Sequence, residues 1–393
     1  MKRGEAGVTL ADIFRLYGQQ YIRRMKPVPQ LCKVIRAITN CRTPALGAQV
    51  HRCQSCGYEH VVFLSCRDRH CPVCQFSARE KWLTSRKKEL LPVPYFHLVF
   101  TLPDRLNTLI INNQKKLYGL LFKAAAQTIL KLAADKKHIG GHGGLLAILH
   151  TWGQNLSYHP HLHCVVPGGA ISFDGNRWLY PKKSKRNRKF FVHVNIISNL
   201  FRNIYLHDLR ILYQKDRLKS LLTRVEFKAL TDMLYKTRWI TYCKPPFGGT
   251  PQVLDYLGRY THRVAISNKR ILALHDNRVT FSWRDYKDNG KLKIMTLPVF
   301  EFVRRFLLHV LPTGFFKIRY YGIFSSRQKD KLLSRAQRLL IHFGNKDKLR
   351  GKNKTPFDPR RCPRCRKPAM IIIEIVPPLY GQRNNRLSAG HSP

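Results

Sequence analysis

Apolar residues recur near a helical period over residues 8–40, with Ile13, Leu16, Tyr17 and Ile22 marking the stripe. Over 41–76 that rhythm stops, and cysteine and histidine replace the long apolar runs, which predicts a small metal-stapled module. A basic helix is expected over 78–91, ended by Pro92-Val93-Pro94. A strand over 95–102 closes at Pro103, and a helical period returns over 106–134 (Leu109, Leu117, Leu120, Leu121, Ile129, Leu132). Glycines 140, 141, 143 and 144 predict a turn, followed by strands over 145–151 and 161–166 that stop at Pro167-Gly168-Gly169. Helices are expected over 198–234 and 252–260, then strands over 270–274, 279–284 and 291–297. A helix near 298–310, a basic helix near 328–342 and a polar, frayed end over 381–393 complete the chain. Strand, helix, strand, strand is an α+β order with an antiparallel sheet. The composition shifts divide the chain at 1–40, 41–91, 92–297 and 298–393.

Charge changes the picture. The 393 residues carry 71 Lys plus Arg against 22 Asp plus Glu, a formal +49. Self-repulsion of that size opposes a compact fold unless a polyanion neutralises it, and each phosphate neutralised also releases a counterion. Nucleic acid is the expected partner. Lys182, Lys183, Lys185 and Arg186 open a run with six basic residues in eight positions, read as a phosphate-contacting loop. With 44% hydrophobic and 11% aromatic residues the chain is not a disordered one. The start has no apolar leader, no run reaches the length of a membrane span, and no basic amphipathic anchor is visible. A cytoplasmic, nucleoid-associated protein without a membrane partner is therefore expected, and in a reducing compartment eleven cysteines argue for metal rather than disulfides.

Cys53-x-x-Cys56 and Cys71-x-x-Cys74 are two tight turns, fourteen residues apart, that could aim four thiolates at one structural zinc. Cys41, His51, His60, Cys66 and His70 are left over, and Cys41, Cys66 and His70 are the favoured members of a second site. A buried free thiol is the other role open to Cys41. Cys362-x-x-Cys365 is half a site with no partner pair nearby.

In Tyr158-His159-Pro160-His161-Leu162-His163, strand alternation puts His161 and His163 on one face and Leu162 on the other. Two adjacent imidazoles make a poor structural pair, since protonation would set like charges together, but a good metal-ligand pair. His150 on the preceding strand is the first candidate for a third ligand, with Gln154 and His159 as alternatives. Tyr256 and Tyr260 stand at i and i+4 on one helix face. That spacing commonly serves packing, but the neighbouring Arg259, His262 and Arg263 make this face wet and cationic and suit it to DNA. Near such charges, with a metal ion polarising the phosphate, a tyrosine becomes a usable nucleophile.

These residues carry a resemblance. The cysteine pairs, F-T-L-P at Phe100–Pro103, L-H-T-W-G-Q at Leu149–Gln154, H-P-H-L-H-C-V-V-P-G-G at His159–Gly169, Y-L-G-R-Y-T-H-R-V-A-I-S-N at Tyr256–Asn268 and L-P-T-G-F-F-K-I-R-Y-Y-G at Leu311–Gly322 resemble rolling-circle insertion-sequence transposases of the two-tyrosine HUH type, the IS ninety-one group. One departure is arginine after Cys365, where a glycine is expected. The resemblance implies an antiparallel-sheet HUH nuclease core over 92–297, a zinc-binding DNA-recognition module over 41–91, a helical arm over 1–40 and a helical, basic region over 298–393. It implies Mg²⁺ or Mn²⁺ on His161 and His163, Tyr256 or Tyr260 attacking single-stranded or hairpin DNA ends of a mobile element, and a 5′-phosphotyrosine with a free 3′-OH. No nucleotide cofactor is expected, as no phosphate-cradling Gly-Lys-Ser/Thr loop is present. A plasmid replication initiator or relaxase would share this chemistry. A non-catalytic zinc-dependent DNA-binding regulator would explain the charge and the cysteines, but not the His and Tyr pairs.

Overall fold

The computed structural model describes residues 7–182, 192–220, 222–244, 253, 258, 261, 263–341 and 358–379. In chain order the helices are α1 (Leu10–Met25), α2 (Pro29–Thr39), α3 (Gln75–Lys87), α4 (Asn107–Asn112), α5 (Gln114–Ala134), α6 (Val194–Gln214), α7 (Arg224–Lys236), α8 (Val299–Leu307) and α9 (Ser334–Ile341). The strands are β1 (Ala48–Cys53), β2 (Glu59–Phe63), β3 (Tyr95–Thr101), β4 (Gly141–His142), β5 (Gly144–Trp152), β6 (Tyr158–Pro167), β7 (Ala170–Ser172), β8 (Trp178–Leu179), β9 (Thr241–Lys244), β10 (Ile271–His275), β11 (Arg278–Asp285), β12 (Lys291–Pro298), β13 (Ile318–Gly322) and β14 (Met370–Val376). The fold is α+β, and every strand pair described is antiparallel. Two compact units form, each from separated stretches of chain. One is Met1–Ala78 with Val264–Val310 and Arg350–Pro393; the other is Arg79–Arg263 with Leu311–Leu349.

In the first unit, α1 opens on a capping box between Thr9 and Asp12 and stops at Lys26, which turns left-handed (φ 45°). The continuous helix expected over 8–40 is thus two helices. Pro27 and Pro29 lack the N–H a continuing helix needs, and Pro29 instead starts α2 at its first turn. Phe14 packs edge-on against Phe306 of α8 at 5.6 Å, and Phe302 meets Phe281 of β11 at 5.7 Å, which joins α1 and the β10–β11–β12 meander through α8. A second sheet has the order β14-β1-β2. Its residues are largely exposed on both faces, so no two-residue alternation announced it in the sequence.

The second unit is built on a five-stranded sheet of order β13-β5-β6-β3-β9. Leu98 and Phe100 of β3, Ala147 and Leu149 of β5, and Leu162, Cys164 and Val166 of β6 point to one side. There they pack on Leu117, Leu121 and Ile129 of α5 and on Phe201 and Tyr205 of α6. α5 is, among the described residues, a helix long and apolar enough to cross a membrane, which corrects the expectation that no run reaches that length; most of it is buried in this core. The helical stretch expected over 198–234 is also two helices. Asp216 turns left-handed (φ 50°), and Thr223 and Glu226 form a capping box that restarts the chain as α7. The opposite side of the sheet carries Tyr95, Leu146, Ile148 and Val165, covered by Leu333, Ala336 and Leu340. Of the helix expected over 252–260, Val253 and Gly258 are described and helical; Tyr256, Arg259 and Tyr260 lie outside the described residues, as do His262, Lys183, Lys185 and Arg186.

Candidate metal centres

Cross-strand register builds the histidine site. β6 runs between β5 and β3, with His150 opposite His161, Ile148 opposite His163, and Thr101 and Val99 opposite the same two histidines on the other flank. Directly opposed residues share a face, so His150, His161 and His163 stand together on the side away from α5 and α6. The register slips between His150 and Trp152, and pairing resumes with Trp152 opposite Tyr158 before the chain turns. Trp152 stacks on the His150 ring at 4.5 Å.

The three rings bring one nitrogen each within 4.8 Å of one another. Nε2 of His161 and Nε2 of His163 are 3.2 Å apart. Two nitrogens bound to one ion at about 2.1 Å would stand about 3.0–3.4 Å apart, so the spacing fits a shared ion. The outer nitrogens are occupied in a way that turns Nε2 inward. Nδ1–H of His161 donates to the His159 carbonyl at 2.7 Å, and Nδ1 of His163 shares a hydrogen bond of 3.0 Å with Nε2 of His97. Burial, opposed by the His159 carbonyl and reinforced by the charges of His159 and Arg263, brings the His161 imidazole down to about 4. Burial and then the charges of His150, His161, His97 and Arg263 push His163 well below its ordinary 6.5. Burial and the neighbouring positive charges favour neutral imidazole, the form that binds metal.

Among the alternative ligands, His159 lies outside the triad with its ring 3.6 Å from Asp104, and Gln154 sits in the turn after β5. His97 was missed by sequence reasoning; its signal was a lone ring nitrogen donor in the apolar run of β3. Val253 is buried and belongs to the same apolar cluster as Ile148 and Val165 of the histidine-bearing sheet face. Gly258 lies against α3, where a Cβ would come within 3.0 Å of Arg79 and Leu83. Val253 and Gly258 bracket Tyr256 in the chain, and Gly258 lies two residues before Tyr260. Arg263 follows, and its carbonyl accepts a 3.4 Å hydrogen bond from Nζ of Lys317. Lys182 donates its backbone N–H to the His138 carbonyl.

The cysteines regroup. Cys53/Cys56 and Cys71/Cys74 do not close one site. Cys41, Cys66, Cys71 and Cys74 converge, with Sγ separations of 3.6 Å (Cys41–Cys74), 3.5 Å (Cys66–Cys74) and 3.7 Å (Cys41–Cys71). Four thiolates at about 2.3 Å from a tetrahedral zinc would be about 3.8 Å apart, so the tetrad fits that ion. His70 stays out of it, because Asp68 takes both its backbone N–H (2.7 Å) and its Nδ1 (3.0 Å). Cys53 and Cys56 instead meet Cys362 and Cys365.

With this geometry in place, the relatives fix the class. Residues 13–102 match a family described as a transposase zinc-binding domain, and residues 144–331 match one described as a putative transposase. "Putative transposase y4qJ" of Sinorhizobium fredii (strain NBRC 101917 / NGR234) is 43% identical over 392 residues, 96% of this chain and 97% of that protein. The "Transposase for insertion sequence element IS801" of Pseudomonas savastanoi pv. phaseolicola is 29% identical over 294 residues, 73% of this chain and 68% of that protein. No solved structure matches. The matched class is that of transposases, enzymes of mobile elements whose substrate is DNA, here with a zinc-binding domain. Within that class, the chain belongs to the IS91 group of rolling-circle insertion-sequence transposases.

Proposed function

We propose that this transposase cuts and rejoins single-stranded or hairpin DNA at the ends of its element through a 5′-phosphotyrosine. The carrying observation is the triad His150, His161 and His163, one nitrogen from each within 4.8 Å of the others. These histidines would hold a divalent ion, Mg²⁺ or Mn²⁺, which supplies electrostatic stabilisation of the charge on a scissile phosphate. An all-nitrogen donor set suits Mn²⁺ better than Mg²⁺.

The protein's own groups do the rest. The hydroxyl of Tyr256 or Tyr260 attacks phosphorus in line, its proton passing to solvent. The bond to the 3′ oxygen breaks, that oxygen takes a proton, and the 5′ phosphate stays on the ring. One phosphoester replaces another, so no nucleotide is consumed. A 3′-OH from a second strand reverses the step and joins the DNA. Arg263, whose charge already reaches His161 and His163, positions the phosphate with Arg259 and His262. Lys182, Lys183, Lys185 and Arg186 hold the strand backbone. The chain then divides by role into a helical arm (1–40), a zinc-stapled DNA-recognition module (41–91), a catalytic region (92–297) and a basic tail (298–393).

The test is to incubate the chain and Mn²⁺ with a single-stranded oligonucleotide bearing an element end, isolate any covalent adduct and map the modified residue. We expect adducts on Tyr256 or Tyr260, lost in Tyr→Phe variants that keep the ring. Cleavage without an adduct, or an adduct elsewhere, overturns the reading.

A further inference from the structure

We propose that Cys53, Cys56, Cys362 and Cys365 hold a second zinc ion, which clasps the far end of the chain onto the N-terminal sheet. The two C-x-x-C loops are the same device built twice. In the first, the N–H of Gly57 donates to the Cys53 carbonyl at 2.9 Å and the N–H of Cys53 to the Tyr58 carbonyl at 2.9 Å. In the second, the N–H of Arg366 donates to the Cys362 carbonyl at 2.9 Å and the N–H of Cys362 to the Lys367 carbonyl at 2.8 Å. Each loop turns left-handed one residue after its second cysteine, at Gly57 (φ 70°) and Arg366 (φ 61°). Arginine is a poor resident of that region, so something must hold the turn in place.

The loops face each other. Sγ of Cys53 lies 3.6 Å from Sγ of Cys365, and Sγ of Cys56 lies 3.7 Å from Sγ of Cys362. These are close to the edge of about 3.8 Å expected for a ZnS₄ tetrahedron, and none of the four is in a disulfide. Cys53 and Cys362 are each 1% exposed. The backbone N–H of Arg364 donates to the Cys362 sulfur at 3.4 Å. Four converged cysteine sulfurs are a ligand set for a soft divalent ion, and ions of this kind bind thiolate. No fourth position is left for a substrate, so the ion is structural.

The ligands come from the two ends of the chain, and a residue range of 13–102 contains only half of them. The clasp lies where β14 joins β1: Cys53 ends β1 opposite Met370, the first residue of β14, and the N–H of Gln54 donates to the Ala369 carbonyl. Closing a loop of roughly 300 residues costs chain entropy that a bound ion offsets.

The full-length chain, purified without chelator, should contain two zinc ions by elemental mass spectrometry. The double variant Cys362→Ser/Cys365→Ser should contain one, and so should Cys71→Ser/Cys74→Ser, each having lost a different ion. A wild-type content of one zinc, a tail variant that keeps two, or iron with its visible thiolate absorption in place of zinc would overturn the proposal. Where the double variant fails to fold, the wild type answers by itself. Under N-ethylmaleimide, Cys362 and Cys365 should be protected in the zinc-loaded chain and modified at least about tenfold faster after chelation. Equal rates in the two states would overturn it.

Discussion

Leu162 tests the alternation on which the histidine centre rests. Its side chain is fully buried, between Phe100 of β3 and Leu149 of β5, and faces α5 and α6 while its neighbours His161 and His163 face the other way. Leu162→Ala deletes the side chain beyond Cβ where the surrounding strands are fixed by ladder hydrogen bonds and cannot fully collapse. A cost of about 3–5 kcal/mol follows. For a compact unit of roughly 220 residues, each kcal/mol lowers Tm by about 2–4 °C, so the variant should melt about 6–20 °C lower. The histidines remain on their strand, and cleavage at a temperature well below the new Tm should fall less than about 100-fold, the cost of a misplacement of about 1 Å. Scanning calorimetry together with oligonucleotide cleavage at 15 °C measures both. A drop in Tm under 3 °C would mean that Leu162 does not face the core, and the shared face of His161 and His163 would fall with it.

Three further outcomes are expected. His163→Ala should reduce metal-dependent cleavage by at least about 100-fold while leaving single-strand binding in a filter or anisotropy assay intact, and undiminished cleavage would remove the triad from the chemistry. In the chelated protein, His161 takes its proton at about 4 when folded but near 6.5 when unfolded. The unfolded chain therefore binds more protons between those values. Stability should be full above pH 6.5 and decline by up to about 3 kcal/mol as pH falls to 4, and a urea titration in which His161→Ala shows the same pH slope as wild type would refute this. Arg366→Gly relieves a left-handed arginine and should raise the stability of the N-terminal sheet by about 1 kcal/mol with zinc content unchanged; a lower Tm would show that the arginine side chain does more than tolerate the turn.

How far the sequence spoke depended on the range of the interaction. His161 and His163 were legible because a strand has a period of two, and His150 because its strand precedes theirs in a hairpin. The β10–β11–β12 meander was legible for the same local reason, each strand following the last. The cysteines misled because nearness in sequence suggested nearness in space. Cys53 and Cys56 meet a pair roughly 300 residues away, for which no spacing rule exists. Cys41 and Cys66 were rightly grouped but belong with Cys71 and Cys74, and His70 was drawn away by Asp68. Short edge strands such as β9 and β13 carry too few residues for a period to register. The two broken helices were marked by Pro27 and Pro29 and by the capping box at Thr223; there, apolar periodicity outweighed punctuation that deserved priority.

The position of β14 also sets a clock on biosynthesis. β1 leaves the ribosome early, and on one side it pairs at once with β2, its hairpin partner. Its other edge stays open until Met370–Val376 emerges. At about 5–20 residues per second, the intervening stretch of roughly 300 residues takes on the order of 15–60 s to make. For that interval the nascent chain carries an unpaired strand edge, the kind of surface that recruits other chains. A chain lacking Met370–Val376 thus keeps His150, His161, His163, Tyr256 and Tyr260 but leaves its N-terminal sheet unfinished.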